Sequence, residues 1–260
     1  MVPAQALKIP DLAGKAVLIT GASGGIGAAV ARAFAAQTAQ VAVHYNRGRD
    51  EARAIVDEIK GAGGQAFAVE GDISDAATAA RVVEESANRF GRLDGIVNNA
   101  GTTFERRAYA DMTEEYYDAV MDLNARSVVF ACRAAIPWLK RQGGFIINTT
   151  SLAARNGGSA GVGLYGSAKS FVSNVTRGLA KELIPHGIRV NAVAPGFIHT
   201  RLHERYSSDA HWKAALASIP QGRIGTPEDC VGAYLFLASS SLSGYMVGQV
   251  IEVNGGQLMP

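Results

Sequence analysis

The sequence predicts an α/β fold: a doubly wound parallel sheet of about seven strands, helices on both faces, in a single domain spanning 1–260. Three observations carry that expectation. Short β-branched runs alternate with longer alanine-rich amphipathic stretches. The runs are almost continuously apolar, as strands covered on both faces must be. The first run passes through a glycine-rich turn directly into a helical pattern, the opening of a βαβ unit.

The elements follow in order. KAVLIT (15–20) is the first strand, and TGASGGIG (20–27) turns it into the helical stretch GAAVARAFAAQ (27–37). QVAVHY (40–45) is the second strand, followed by the amphipathic DEARAIVDEIKGAG (50–63). QAFAVEGD (65–72), GIVNNA (95–100), GFIINTTS (144–151), IRVNAVAP (188–195) and VIEVNG (250–255) supply the other five. Segment 196–226 is irregular and rich in His, Arg, Tyr and Trp. A connection of that length reads as a substrate lid. No repeat, low-complexity tract or linker interrupts the chain.

Composition narrows the function classes. Of 260 residues, 48% are hydrophobic and 18% charged, enough apolar material for a sizeable core. The net charge is only +2 and the basic residues are scattered, so neither nucleic acid nor a membrane surface is an expected partner. Cys132 and Cys230, the two cysteines, sit in apolar contexts and read as buried thiols. The first residues lack a basic stretch followed by an apolar core, and no apolar run reaches membrane-spanning length, so a cytoplasmic protein is expected.

Glycines at 21, 25 and 27 permit a tight turn and let a pyrophosphate approach the backbone, where the following helix offers N–H donors and a positive partial charge. The spacing is T-G-x-x-x-G-x-G, a wider loop than G-x-G-x-x-G. The carboxylate that would hold a ribose 2′-hydroxyl is missing after the second strand, which continues Tyr45-Asn46-Arg47-Gly48-Arg49. Arg47 and Arg49 could pair with a 2′-phosphate or could simply be solvated. NADP(H) is therefore favoured, with NAD(H) possible.

Tyr165 and Lys169 stand one helical turn apart in GLYGSAKS, among small residues that leave room for ligands. An ammonium beside a phenol is expected to lower its pKa from about 10 and suit it to acid–base work. Ser151 ends an apolar strand, at the sheet edge where open α/β folds bind ligands. Asn124 lies mid-helix by pattern. Asparagine is a poor helix former, so a local irregularity or a bound water is expected there.

Together these residues resemble the short-chain dehydrogenase/reductase family, over nearly the whole chain and with the motifs in order. They are TGASGGIG, Asp72, NNAG (98–101), Asn124, Ser151, YGSAK (165–169), APGFIHT (194–200) and GQVIEVNGG (248–256). The resemblance implies a Rossmann-type fold and a tetrad. Tyr165 would be the general acid or base, and Lys169 its tuner and ribose ligand. Ser151 would orient the substrate oxygen, and Asn124 would hold a relay water. The resemblance places Gly21, Ser23, Gly25, Ile26 and Gly27 at the pyrophosphate; Tyr45, Asn46 and Arg47 at the end of the second strand are candidate cofactor contacts, and Tyr165 and Lys169 are expected to touch the cofactor as well as act in the chemistry. Asp72 and Ile73 would meet the adenine. Asn99, Ala100 and Gly101 would lie along the cofactor, and Pro195, Gly196, Ile198 and Thr200 at the carboxamide. It also implies a homotetramer, with Cys132 and Trp138 near one interface and the last strand at another.

Three departures from the family pattern stand out. Ser151 is one residue farther from Tyr165 than in many members. Gly24 stands where many NADP(H)-using members have Arg or Lys. Thr38 stands where the family usually has glycine after the first helix, so local strain is expected. His199 and His203 with Glu204 are four and one apart but lack a third ligand, and no metal is expected. Tyr206, Trp212 and Leu216 could line a substrate pocket or pack the lid, and Arg155 could meet an acidic substrate. The substrate expected is a small carbonyl or alcohol. A 3-oxoacyl type is favoured, with Lys140, Arg141 and His186 as a modest basic patch for a carrier protein. The alternatives are a sugar or polyol dehydrogenase and, less favoured, a non-catalytic dinucleotide-sensing regulator.

Overall fold

The computed structural model describes residues 8–200 and 209–259. Seven strands form one sheet in the order β3-β2-β1-β4-β5-β6-β7. They are β1 (Ala16–Ile19), β2 (Gln40–Tyr45), β3 (Gln65–Glu70), β4 (Gly95–Asn98), β5 (Gly144–Thr149), β6 (Ile188–Pro195) and β7 (Val250–Val253). Every pairing is parallel. β2 and β6 coincide with the expected runs end to end. The other strands end one or two residues earlier, because the chain leaves the sheet there to build the loops of its carboxyl edge.

Alternation along the strands divides the core into two layers. Val17 and Ile19 of β1 face α1 (Gly25–Ala36), α2 (Arg49–Gly61) and the late helix Pro227–Ala238. Leu18 faces α3 (Ala76–Phe90), α5 (Ser127–Leu139) and α7 (Gly163–Leu183). Two shorter helices, α4 (Glu114–Met121) and the single-turn α6 (Ala153–Asn156), pack on α7. Both cysteines are free and fully buried, and burial pushes each thiol up to about 12. The strand order reverses between β1 and β4, which opens a crevice at their carboxyl ends. No helix among the described residues is long and apolar enough to cross a membrane.

The strain expected at Thr38 is present. This β-branched residue follows α1 with φ 60°, in the left-handed region that favours glycine. Its hydroxyl donates to the Gln37 carbonyl at 2.6 Å, a partial compensation. Thr38→Gly is expected to stabilise the chain by about 0.5–1 kcal/mol in urea unfolding. An unchanged or lower midpoint would mean that the hydroxyl bond outweighs the strain.

Candidate active site

The glycine-rich turn is built by close approach. Gly21 has φ +63°, and a Cβ there would come within 2.9 Å of the Ala100 Cα. A Cβ on Gly27 would lie 2.5 Å from the Gly21 carbonyl and 2.6 Å from Asn99 Nδ2. Space around Gly24 is open, and no side chain caps the start of α1. Its first N–H groups are thus left for a ligand. Thr20 joins this turn to the β4 loop: its hydroxyl accepts from the Asn99 and Ala100 amides at 2.9 and 3.0 Å. Asn99 Nδ2 returns bonds to the Thr20 and Gly21 carbonyls. Thr200 packs against Gly25, so the segment after β6 meets the turn. Ile198 pairs with Gly225, and Gly196 N–H donates to the Val253 carbonyl.

The β2 end is more differentiated than its sequence suggested. Arg49 is ion-paired with Glu70, whose carboxylate also accepts from the Tyr45 hydroxyl at 3.0 Å. Arg49 thus has a partner at the surface, and Tyr45 is buried with its hydroxyl turned to Glu70. Exposed Asn46 and Arg47 are beside Asp72. Burial would raise that carboxyl, but hydrogen bonds from Ser74, then Asn46 and the Arg47 charge, hold it below its ordinary range. Asp72 also accepts from the Ser74 amide and hydroxyl, and Ile73 is buried. Ser23 reaches the Arg47 carbonyl at 3.4 Å.

The irregularity expected at Asn124 is a π-turn, Asp122–Arg126, between α4 and α5. The Ser127 amide reaches back five residues to the Asp122 carbonyl, and the Ser127 hydroxyl serves the Leu123 carbonyl instead. The widened turn aims Asn124 inward, where it is fully buried. Its Nδ2 donates to the Thr102 and Val120 carbonyls, both at 2.9 Å, and its Oδ1 accepts from the Thr102 amide at 3.1 Å.

Lys169 on α7 is 2% exposed, and its Nζ donates to the Thr149 carbonyl at 2.9 Å. A Cβ on Gly101 would lie 2.6 Å from Asn124 Oδ1 and 3.0 Å from Lys169 Nζ, so this glycine lets the three elements meet. Tyr165 is partly buried one turn earlier, with the ammonium 5.7 Å from its ring centre. Burial pushes the phenol pKa up, and its hydrogen bond with Ser151 opposes that. The expectation of a lowered phenol is therefore not met in the chain alone. The ammonium bonds to a carbonyl rather than to the phenol, and burial lowers Lys169 itself to about 8. What results is a protonated phenol beside a hydroxyl and a desolvated amine, an arrangement able to give a proton to a bound oxygen.

Sequence reasoning missed Thr20, Thr102, Thr149 and His44. His44, a polar residue inside the apolar run QVAVHY, was the legible signal. It is buried, accepting from the Gly21 amide and bonding the Gly71 carbonyl. Two further expectations change. Lys140 and Arg141 follow α5 and His186 precedes β6, so within one chain this patch is at the amino-terminal edge of the sheet, opposite Tyr165. Arg155 is ion-paired with Glu252 at 3.2 Å. Trp212 packs edge-on against Phe197 at 5.0 Å and lies 5.1 Å from the His199 ring, while Leu216 is exposed. His203, Glu204 and Tyr206 lie outside the described residues.

Residues 21–257 match a family model described as enoyl-(acyl carrier protein) reductase. The chain belongs to the short-chain dehydrogenase/reductase family. It is 39% identical to a 3-oxoacyl-[acyl-carrier-protein] reductase of Synechocystis, over 95% of this chain and 98% of that protein. A 3-oxoacyl-[acyl-carrier-protein] reductase of Staphylococcus aureus is 38% identical over 94% and 98%. Among solved structures, an NADH-dependent reductase responsible for alginate metabolism superposes with a TM-score of 0.89 at 36% identity, over 96% of this chain and all of the other. A short-chain dehydrogenase from Burkholderia cenocepacia, in complex with NADP, gives 0.90 at 34% identity over 95% and 99%. As a short-chain dehydrogenase/reductase, this chain is an NAD(P)-dependent oxidoreductase.

Proposed function

We propose that the chain reduces a ketone to a secondary alcohol, or runs the reverse, with Tyr165 as the acid–base group and a 3-oxoacyl compound as substrate. The carrying observation is the convergence of Tyr165, Ser151, Lys169 and Asn124 at the carboxyl edge, with Lys169 and Asn124 buried. A dinucleotide fits the residues present. The Gly24 turn is open, α1 begins uncapped, and no side chain at Gly21 or Gly27 bars approach to the backbone. Gly21, Ser23, Gly25, Ile26 and Gly27 would hold the pyrophosphate. Asp72 and Ile73 would meet the adenine, and Asn99, Ala100 and Gly101 would line the path towards Lys169. Pro195, Gly196, Ile198 and Thr200 would border the carboxamide.

When bound, the reduced nicotinamide supplies the hydride. Ser151 orients the carbonyl oxygen, and Tyr165 gives that oxygen its proton. Burial keeps the phenol protonated, the form that reduction requires. Lys169 holds the ribose and carries the replacement proton. Both Nδ2 hydrogens of Asn124 are committed, so a relay water donates to an Asn124 oxygen rather than accepting from its side-chain amide. Arg47 is the group for a 2′-phosphate, because Arg49 is already paired. It supports NADP(H) over NAD(H).

We read residues 1–260 as one catalytic unit with a lid at about 196–226, assembled as a homotetramer in the cytoplasm. The 3-oxoacyl substrate is favoured by the curated relatives. A sugar-derived ketone is the second reading, because the reductase for alginate metabolism is similar at 36% identity. The test is cofactor absorbance decay with NADPH and NADH, against an acetoacetyl thioester and a ketose. Fast NADPH use with the thioester is expected. Turnover of the ketose only, especially with NADH, would replace the 3-oxoacyl reading and return Arg47 to the solvent.

A further inference from the structure

His44 is a buried imidazole that no step above uses. It lies near the end of β2, beneath the glycine-rich turn, and is 1% exposed. Gly21 N–H donates to its Nδ1 at 3.0 Å. Its Nε2 lies 3.0 Å from the Gly71 carbonyl. A ring nitrogen that accepts leaves the other to donate, so the pair of contacts requires the neutral Nε2–H tautomer. Burial maintains that state, holding the pKa at about 4. Of the charged groups around it, Asp72 after β3 favours protonation and Arg81 of α3 opposes it.

These two contacts join the separate loops assigned above to the dinucleotide. Gly21 lies in the pyrophosphate turn, and Gly71 immediately precedes Asp72 and Ile73 on the adenine side. The Ala22 amide donates to the His44 carbonyl and the Gly71 amide to the Tyr45 carbonyl, so each loop is fastened to β2. The imidazole spans from one to the other through a single rigid side chain.

We propose that His44 is a positioning residue for the adenosine-diphosphate half of the cofactor, a strut that sets the distance between the pyrophosphate and adenine loops before binding. The proposal rests on the dinucleotide placement above. A pre-set gap lowers the ordering cost of binding and leaves hydride and proton transfer, at the other end of the crevice, untouched. Asparagine can supply an acceptor where Nδ1 stands but cannot reach Gly71. Leucine fills much of the volume and supplies neither contact.

The experiment measures NADPH affinity by fluorescence, with ADP as competitor, for the wild type, His44→Asn and His44→Leu. Turnover is measured alongside. His44→Leu is expected to weaken NADPH and ADP by about tenfold or more, the equivalent of a lost buried hydrogen bond. His44→Asn should recover part of that loss, and carbonyl KM should not move. Equal affinity in His44→Leu, a fall in kcat with affinity kept, or no recovery in His44→Asn would overturn the strut. A wild type that binds neither ligand would instead overturn the dinucleotide placement itself. If His44→Leu does not fold, imidazole nitrogen NMR of the wild type decides. A persistent Nε2–H tautomer through about pH 5–9, free and bound, is expected. An Nδ1–H tautomer or titration near about pH 6.5 would refute it.

Discussion

Tyr165→Phe is expected to lower kcat by about 10²–10⁴-fold while leaving NADPH affinity within about twofold of the wild type. The substitution removes one oxygen and the proton it carries, and it keeps the ring that packs beside α4. The direction in which the phenol pKa moves also sets the pH behaviour. Burial raises it, so the protonated donor persists through neutral pH. Reduction should therefore hold at neutral pH and fall as pH rises through the phenol pKa. Oxidation, which needs the phenolate, should rise over that same range. Steady-state rates in both directions against pH check this. A Tyr165→Phe enzyme with unchanged kcat would remove Tyr165 from the chemistry, and lost NADPH binding would recast it as a cofactor ligand.

Lys169→Met should abolish turnover and yet make the cofactor-free chain more stable at neutral pH, by about 1 kcal/mol. The ammonium is almost fully buried, and that desolvation lowers its pKa from 10.5 to about 8. Each tenfold change in an ionisation equilibrium is worth about 1.4 kcal/mol. Losing the Thr149 contact offsets part of the gain, because a buried carbonyl left unpaired costs about 1–3 kcal/mol. Below about pH 8 the lysine is charged in both folded and unfolded chains, so its penalty is complete. Between about pH 8 and 10.5 the folded form is neutral while the unfolded form still binds the proton, so wild-type stability rises with pH. The advantage of the methionine variant should accordingly shrink over that window. Urea unfolding at about pH 7 and about pH 10 measures it. A variant less stable at both pH values would show that the carbonyl bond dominates.

A lysine that its own fold desolvates is what the proposed chemistry at this site would require. The π-turn at Asn124 has the same character. It interrupts a helix so that one amide can reach Thr102 and Val120, and it places Asn124 Oδ1 and Lys169 Nζ together where a Gly101 side chain would otherwise stand.

The seven strands, their parallel pairing, the glycine turn and the Tyr165/Lys169 pair are legible along the chain, whereas joining Ser151 and Asn124 to that pair needs the family resemblance. Those features are local or periodic: apolar runs, glycine spacing and a four-residue helical interval need no folded structure to be read. The strain at Thr38 is legible for the same reason, since a non-glycine residue after a helix carries its conformational cost with it. Other features wait on the folded core, because they depend on which groups meet across long separations. Arg49 pairs with Glu70, 21 residues away. The Lys140, Arg141 and His186 patch falls at the far edge of the sheet because helices α5 and α7 run antiparallel to the strands that follow them. The phenol is raised and the lysine lowered because burial, a property of the assembled core, acts on both, while the ammonium is turned towards a carbonyl and only the Ser151 hydrogen bond opposes burial at the phenol.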